Sequence, residues 1–172
     1  MTRCSGYGSR VSQKIVERAA ARIVLLDPED RILLQQIRAD EDHARTTWIT
    51  PGGALAPGET HRQAALRELR EEVGQAMVLL GPCVWVREHE FEFRGTRYRQ
   101  RERFFLARTE STAIDTGGLE PIEVEIVIDH RWWKLHEIEA ARETVFAPRL
   151  IAQFLAPLIE GRIPERPTDV GV

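Results

Sequence analysis

The stretch that decides the fold runs from Gly53 to Gly74 and reads GALAPGETHRQAALRELREEVG. Its apolar residues recur at near-helical spacing, at Ala64, Ala65, Leu69 and Val73. This period predicts a helix over residues 60–73. Glycine often ends a helix because it adopts the left-handed conformation without strain, so we expect the helix to stop at Gly74.

Three carboxylates of this helix, Glu68, Glu71 and Glu72, stand at positions i, i+3 and i+4 and therefore share one face. Like charges placed in this way repel one another. A hard divalent cation such as Mg²⁺ or Mn²⁺ prefers carboxylate oxygens and would remove the repulsion. Without their neighbours, the three glutamates fit equally well on a solvated face where they pair with Arg67 and Arg70.

A glycine-rich segment, WITPGG at residues 48–53, leads into the helix. Gly52 and Gly53 allow the backbone to come close to a ligand or a metal. Glu59 opens the helix, where the helix dipole favours an acid. A metal on the acidic face could bridge phosphate oxygens and activate a bound water, and a free carboxylate could accept the proton. The stretch therefore predicts metal-dependent phosphate chemistry.

The complete spacing resembles the Nudix box: Gly53, five residues, Glu59, seven residues, and then RELREEVG from Arg67 to Gly74. A looser resemblance extends from about Ala21 to Leu158. The family expects an aliphatic residue after Gly74, whereas this chain has Gln75. We expect that difference to cost some packing and no chemistry.

The resemblance implies an α/β protein with the Nudix fold, an α/β/α sandwich around a central mixed β-sheet. It also implies Mg²⁺- or Mn²⁺-dependent hydrolysis of the pyrophosphate linkage of a nucleoside diphosphate joined to another group. Carried over by position, Glu71 and Glu72 would be the principal metal ligands, with help from the Gly52 carbonyl. Glu68 would be a further ligand or the general base.

Other roles follow from the same resemblance. Arg67 would orient the carboxylates, Glu59 would anchor the loop to the helix, and Gly74 would support the site. Members of the family differ in the position of the general base, and here the alternatives to Glu68 are Glu102, Glu120, Glu123, Glu125 and Asp129. We expect substrate contacts from Gly52, Gly53, Arg103 and Glu102.

The rest of the chain predicts one domain over residues 19–162, with a flexible arm at 1–18 and a tail at 163–172. Strands are expected at 21–26, 31–37 and 122–133, loops at 38–47 and 110–121, and a last helix at 148–160. Strands on both sides of a central helix imply an α/β arrangement with a mixed sheet. Trp132 and Trp133 adjoin on a strand, so one should face inward and the other outward.

Residues 78–93 and 97–107 predict the two arms of a hairpin. With Gly95 and Thr96 as a two-residue turn, the glutamates of one arm face the arginines of the other. The pairs would be Glu92 with Arg99, Glu90 with Arg101, and Glu88 with Arg103. Such pairs explain the alternating arginines better than a phosphate-binding strip does.

Composition narrows the choice of partners. The chain has 172 residues and a net charge of −3, which argues against a nucleic-acid polymer as partner. Two cysteines are too few for a disulfide framework and favour a reducing, cytoplasmic setting. No apolar run is long enough to span a membrane, and residues 1–10 do not resemble a signal peptide. We expect a small nucleotide-like substrate, and a homodimer is reasonable.

Two functions remain open at this point: a pyrophosphohydrolase, or a nucleotide-sensing binding module that keeps the fold with little turnover. Modules of the second kind usually lose the carboxylates of the box, whereas Glu68, Glu71 and Glu72 are all present here. This favours the enzyme. The substrate is not identified by the sequence, and we expect the loops at 38–47 and 110–121 to shape selectivity.

Overall fold

The computed structural model describes residues 14–38, 45–74 and 78–171. Most of the predicted arm, most of the charged loop at 38–47 and the departure at Gln75 lie outside these ranges. The elements, in chain order, are β1 (Val16–Leu26), β2 (Ile32–Arg38), β3 (Thr46–Ile49), β4 (Gly52–Ala54), α1 (His61–Val73), β5 (Leu79–Phe93), β6 (Thr96–Arg108), α2 (Pro121–Ile126), β7 (Val127–Trp133), α3 (Leu135–Ala140), β8 (Phe146–Ala147), α4 (Ile151–Ile159) and β9 (Thr168–Asp169). None of the helices in the described ranges is long and apolar enough to cross a membrane.

The strands form one mixed sheet in the order β8-β3-β2-β1-β6-β5-β9, with β4 paired to β1 and β7 paired to β2. β1 is parallel to β6 along its whole length and antiparallel to β2. Side chains of β1 alternate between two cores: Val24 and Leu26 pack with α3 and α4, and Ile23 and Leu25 pack with α1. Helices therefore cover both faces, which confirms the predicted sandwich with a mixed sheet.

Helix α1 begins and ends close to the predicted positions. Thr60 caps its first turn through a reciprocal pair of contacts with Gln63. At the other end, Gly74 has φ = 73° and its N–H donates to the Arg70 carbonyl, as expected for a glycine stop. These local signals fix the rotation of the helix and thus the direction of its acidic face.

The predicted hairpin forms, but its predicted register was wrong by two residues. Arg94 and Gly95 both have positive φ, 47° and 72°, and they form the turn in place of Gly95 and Thr96. The observed partners are Glu92 with Arg97, Glu90 with Arg99, and Glu88 with Arg101. A shift of two residues keeps every side chain on its face, so the predicted pairing of arginines with glutamates persists.

The strand predicted at 122–133 was wrong in its first half, where residues 121–126 form α2. Pro121 occupies the first turn, where its fixed φ suits a helix. The N–H of Glu120 donates to the side chain of Glu123 at 2.8 Å, which closes the turn. The last helix also begins later than predicted, at Ile151, after a turn in which the Ile151 N–H donates to the Pro148 carbonyl.

Folded segments extend beyond both limits of the predicted range, residues 19–162. β1 begins at Val16, inside the predicted arm. Within the predicted tail, Thr168 and Asp169 pair with β5 and Val170 is buried in the core. The division into a single domain stays a prediction.

The two adjacent tryptophans of β7 face opposite sides of the sheet, as predicted. Trp133 is 5% exposed and meets Trp48 and Phe146 edge-on, with ring centroids 5.1 and 5.3 Å apart. Trp132 is only half-buried on the other side, where its indole N–H donates to the Thr112 carbonyl. The buried aromatic cluster joins β7 to β3 and β8, and all three strands contribute residues to the lining of the cavity described below.

We predict that Trp133→Ala lowers the free energy of unfolding by about 3–5 kcal/mol, since it removes a large buried ring. Trp132→Ala is the matched control and should cost less than half as much, because that ring is partly solvated. Urea unfolding followed by circular dichroism measures both values. Equal losses would contradict the burial difference.

Candidate active site

The glycine loop lies directly on α1. Gly52 has φ = 128°, and a Cβ there would lie 2.2 Å from the Ala21 carbonyl oxygen of β1. Its N–H donates to Glu72 Oε2 at 2.6 Å. A Cβ on Gly53 would come within 2.5 Å of Glu68 Oε1. Gly52 is therefore needed for the close approach of the loop to β1, and Gly53 for its close approach to the Glu68 carboxylate.

A group of three carboxylates forms where α1 meets α2. Oxygens of Glu68, Glu72 and Glu123 lie within 4.8 Å of one another. Glu68 and Glu72 are 3% and 4% exposed, and Glu68 Oε2 is buried without a hydrogen-bond partner among the described residues. Oxygen-only donors and an unsatisfied buried carboxylate oxygen suit a hard divalent cation such as Mg²⁺ or Mn²⁺.

Burial strongly perturbs the acidity of this group. It raises the pKa of Glu68 to about 7, although Arg67 counteracts part of the shift. It raises the pKa of Glu72 to about 8, and the charge of Glu68 adds to that effect. Near neutral pH the two side chains thus retain protons that a metal would displace.

Arg67 connects the loop, the start of α1 and the carboxylates. Its Nε donates to Glu59 Oε1 at 3.0 Å. Its Nη1 donates to Glu68 Oε1 at 2.8 Å and to Glu71 Oε2 at 2.9 Å. Its Nη2 donates to the Ala54 carbonyl in β4. In this geometry Arg67 can orient the carboxylates and Glu59 can hold Arg67 in place.

The structure does not bring Glu71 into the group of three carboxylates. Its side chain is partly exposed and is held by Arg67, although it also lines the neighbouring cavity. Glu123 takes the third place instead. The sequence left Glu123 as one of several candidate bases, because its inward direction depends on α2, which was predicted as a strand. Pro121 after Glu120, with Glu123 three residues beyond that cap, was the available helix signal.

The other candidate bases from the same part of the chain lie apart from the three carboxylates. Glu120 is exposed at the start of α2 and lines the cavity. Glu125 is exposed and pairs with Arg94 at 2.9 Å. Asp129 is exposed on β7 and accepts from the His130 N–H. Glu68 and Glu123 are thus the two candidates that the structure places at the group.

Glu102 and Arg103 do not take the positions expected of substrate contacts. Glu102 is 1% exposed and accepts hydrogen bonds from Arg22 and Arg87. Burial opposes its charged form, but the two arginines more than offset burial and lower its pKa to about 2. With its pKa lowered and both oxygens already bonded, Glu102 is a poor proton acceptor. Arg103 is exposed on the opposite face of β6 and does not line the cavity.

A cavity of about 930 Å³ opens beside the three carboxylates and the two glycines. Another part of its wall is cationic and aromatic, with Arg18, Arg22, Arg87, Phe91, Phe93 and Tyr98. The rings of Phe91 and Tyr98 stack with centroids 5.3 Å apart. The volume suits a ligand of nucleotide size. Sequence reasoning missed this wall, although two arginines four residues apart in the largely apolar β1 were a usable signal.

Comparison with known proteins agrees with this geometry. The NUDIX domain model matches residues 16–154. An RNA pyrophosphohydrolase of Erythrobacter litoralis is 30% identical over 159 residues, which cover 86% of this chain and 88% of that protein. An RNA pyrophosphohydrolase of Francisella philomiragia is 47% identical over 57 residues, so that match spans 33% of this chain and only about a third, 34%, of that relative's length.

Among solved structures, the E. coli dihydroneopterin triphosphate pyrophosphohydrolase superimposes with a TM-score of 0.61 at 22% identity, covering 86% of this chain and 99% of that one. A likeness at this identity shows the fold alone. The family match covers most of the chain and confirms the resemblance seen in the box. The chain therefore belongs to the Nudix hydrolase family.

Proposed function

We propose that the protein is a Mg²⁺- or Mn²⁺-dependent pyrophosphohydrolase that cleaves the pyrophosphate linkage of a nucleoside diphosphate derivative. The observation that carries this proposal is the group formed by Glu68, Glu72 and Glu123. Buried carboxylates at the wall of a nucleotide-sized cavity combine a cation site with room for a phosphate ester.

In the proposed mechanism, Glu68 and Glu72 would hold the metal, and the Gly52 carbonyl, which also accepts a hydrogen bond from Arg22 Nη1, would be a further donor. A bound Mg²⁺ supplies charge neutralisation at phosphate oxygens and a more acidic water. Arg67 and the Gly52 N–H keep the two carboxylates in place. Glu123 accepts the proton of the attacking water. The ligand role predicted for Glu71 stays a prediction.

The cationic and aromatic side chains of the cavity wall support a nucleotide-like small molecule as substrate. The Phe91 and Tyr98 rings offer apolar surface for a base or another planar group. Arg18 offers a half-buried cation for phosphate. RNA bearing a pyrophosphate at its end is a second candidate, favoured by the name of the Erythrobacter litoralis relative.

Two further parts of the proposal concern the protein as a whole. We propose a cytoplasmic location, in keeping with the low cysteine content and the free thiol of Cys83. A homodimer stays a prediction.

The first test is turnover on a panel of nucleoside triphosphates, nucleotide sugars, ADP-ribose, dinucleoside polyphosphates and a short 5′-triphosphorylated RNA. With Mg²⁺ or Mn²⁺ we expect release of phosphate, pyrophosphate or a mononucleotide from at least one of them, and none with EDTA. Tight binding of a nucleotide without turnover would instead favour the nucleotide-sensing module.

A second test separates metal ligand from proton acceptor. Glu72→Gln should weaken Mn²⁺ binding and lower activity together. Glu123→Gln should lower kcat by about 10²–10⁴-fold while Mn²⁺ affinity changes by less than that. Glu139 is an exposed residue of α3 that does not line the cavity. Glu139→Gln is therefore the control and should retain both properties. Electron paramagnetic resonance of free Mn²⁺ gives the affinities, and full activity in Glu72→Gln would refute its assignment as ligand.

A third test uses the raised pKa values in the absence of metal. Glu68 and Glu72 keep protons in the folded state up to about pH 7 and 8, whereas in the unfolded chain they release them near 4.5. Within that window these two side chains bind more protons in the folded state, so their contribution to the free energy of unfolding falls as pH rises.

We therefore expect Glu72→Gln, which cannot ionise, to raise the Tm relative to the unmodified protein in EDTA, and the gain should grow between about pH 5 and pH 9. Saturating Mg²⁺ should reverse the order, because only the unmodified site binds it well. Thermal melts across this range measure the difference. A gain that shrinks with rising pH would contradict the buried-carboxylate account.

A further inference from the structure

A buried polar network lies beneath the glycine loop, and we call it the Glu102 network. Its members are Arg22 on β1, Arg87 on β5, and Gln100 and Glu102 on β6. Glu102 Oε1 accepts from Arg22 Nε at 2.9 Å and from Gln100 Nε2 at 2.8 Å, and Oε2 accepts from Arg87 at 2.6 Å. Both oxygens of the carboxylate are thus occupied.

One member of the network also touches the loop. Arg22 Nη1 donates to the Gly52 carbonyl at 2.5 Å and to the Thr50 carbonyl at 3.3 Å. Arg22 and Gly52 are direct partners in the pairing of β1 with β4. Since the N–H of Gly52 is bound to Glu72, both polar groups of this glycine are held, one by Arg22 and the other by Glu72.

These contacts form an unbroken chain from Glu102 through Arg22 and Gly52 to Glu72. Its middle is a glycine with φ = 128°, and a glycine peptide has many other accessible conformations from which these contacts must select one. Arg22 also lies close enough to Glu72 and Glu68 to attract their charges. The position of Glu72 is thus coupled to residues that the proposed metal does not touch.

Stability alone does not explain the composition of the network. Two arginines and one glutamate leave a net charge of 2 − 1 = +1 in a largely buried place. Apolar residues of similar volume usually serve the stability of a core at least as well as a buried ion pair. The guanidinium group of Arg22 has a second role besides the ion pair. One of its nitrogens donates to the Glu102 carboxylate and another donates to the loop carbonyls.

We propose that Arg22 is a positioning residue, oriented by Glu102, that fixes the Gly52 peptide so that its N–H holds Glu72 ready to bind the metal. This inference rests on the metal role of Glu72 in the proposed function. Glu102 would then act on the site through Arg22, and not as the base or the substrate contact considered above.

The test compares two charge-conserving variants. Arg22→Lys keeps the cation but loses the fork to Glu102 and the loop. Arg87→Lys makes the same change at the other oxygen of the Glu102 carboxylate. It is the matched control, because Arg87 makes no hydrogen bond to the loop among the described residues. We expect Arg22→Lys to weaken Mn²⁺ binding by about 10- to 100-fold and Arg87→Lys to weaken it by less than about threefold.

Thermal melting without metal shows whether both variants lose similar stability. Equal weakening of Mn²⁺ binding in both, or Mn²⁺ affinity in Arg22→Lys like that of the unmodified protein, overturns the positioning role. Should Arg22→Lys fail to fold, Glu102→Gln takes its place: weaker Mn²⁺ binding supports the proposal, and a lower Tm with unchanged affinity overturns it.

A second readout does not involve a metal. Amide hydrogen exchange of Gly52 in EDTA should be faster in Arg22→Lys than in Arg87→Lys, because the Gly52 peptide loses its anchor only in the first variant. If the unmodified protein binds Mn²⁺ but hydrolyses nothing, the proposed activity fails and the positioning role is still decided by these measurements. If it binds no Mn²⁺, the metal site fails as well, and unchanged Gly52 exchange overturns the anchor itself.

Discussion

The site depends on the hydrogen bond from the Gly52 N–H to the buried carboxylate of Glu72. That bond joins β4 to α1, and the fit needs two glycines, because a Cβ on Gly53 would collide with Glu68 of α1 and a Cβ on Gly52 with the Ala21 carbonyl of β1. It also ties the first strand to the helix, since β4 pairs with β1. A helix that carried the same acids without this loop would leave them in water, where their charges are screened and their pKa values stay ordinary.

Burial of acidic groups is costly, and the molecule offsets the cost differently on the two sides of the loop. Glu102 is fully ionised between Arg22 and Arg87, with every oxygen bonded. Glu68 and Glu72 have fewer cationic partners and retain protons near neutral pH. Glu102 is thus ionised near neutral pH, whereas the protonation of Glu68 and Glu72 changes there. Such incompletely compensated acids are typical of places where an ion or a proton is exchanged.

Local signals were sufficient to predict α1, its stop at Gly74 and the alternation of Trp132 and Trp133. They failed where a distant partner decides the outcome. The hairpin register turned on Arg94, a non-glycine residue that adopts positive φ, and propensity does not foresee such a residue. Glu123 lies beside Glu68 and Glu72 because the fold brings carboxylates of α1 and α2 together, although the two segments are some fifty residues apart in the chain. Glu102 was noticed as an acid on a strand, but its two arginines come from β1 and β5, which no spacing rule connects.

Strand β9, one of two strands with only two residues in the described part of the chain, has a consequence for the behaviour of the protein in concentrated solution. β5 is long and lies near the margin of the sheet, where an open row of backbone donors and acceptors invites pairing with another molecule. β9 occupies part of that row at Trp85 and Val86, and Val170 beside it is inserted into the core. Being only two residues long, β9 offers little backbone for further pairing. Residues 168–170 thus cover part of the β5 edge and leave less of its backbone open to pairing with another molecule.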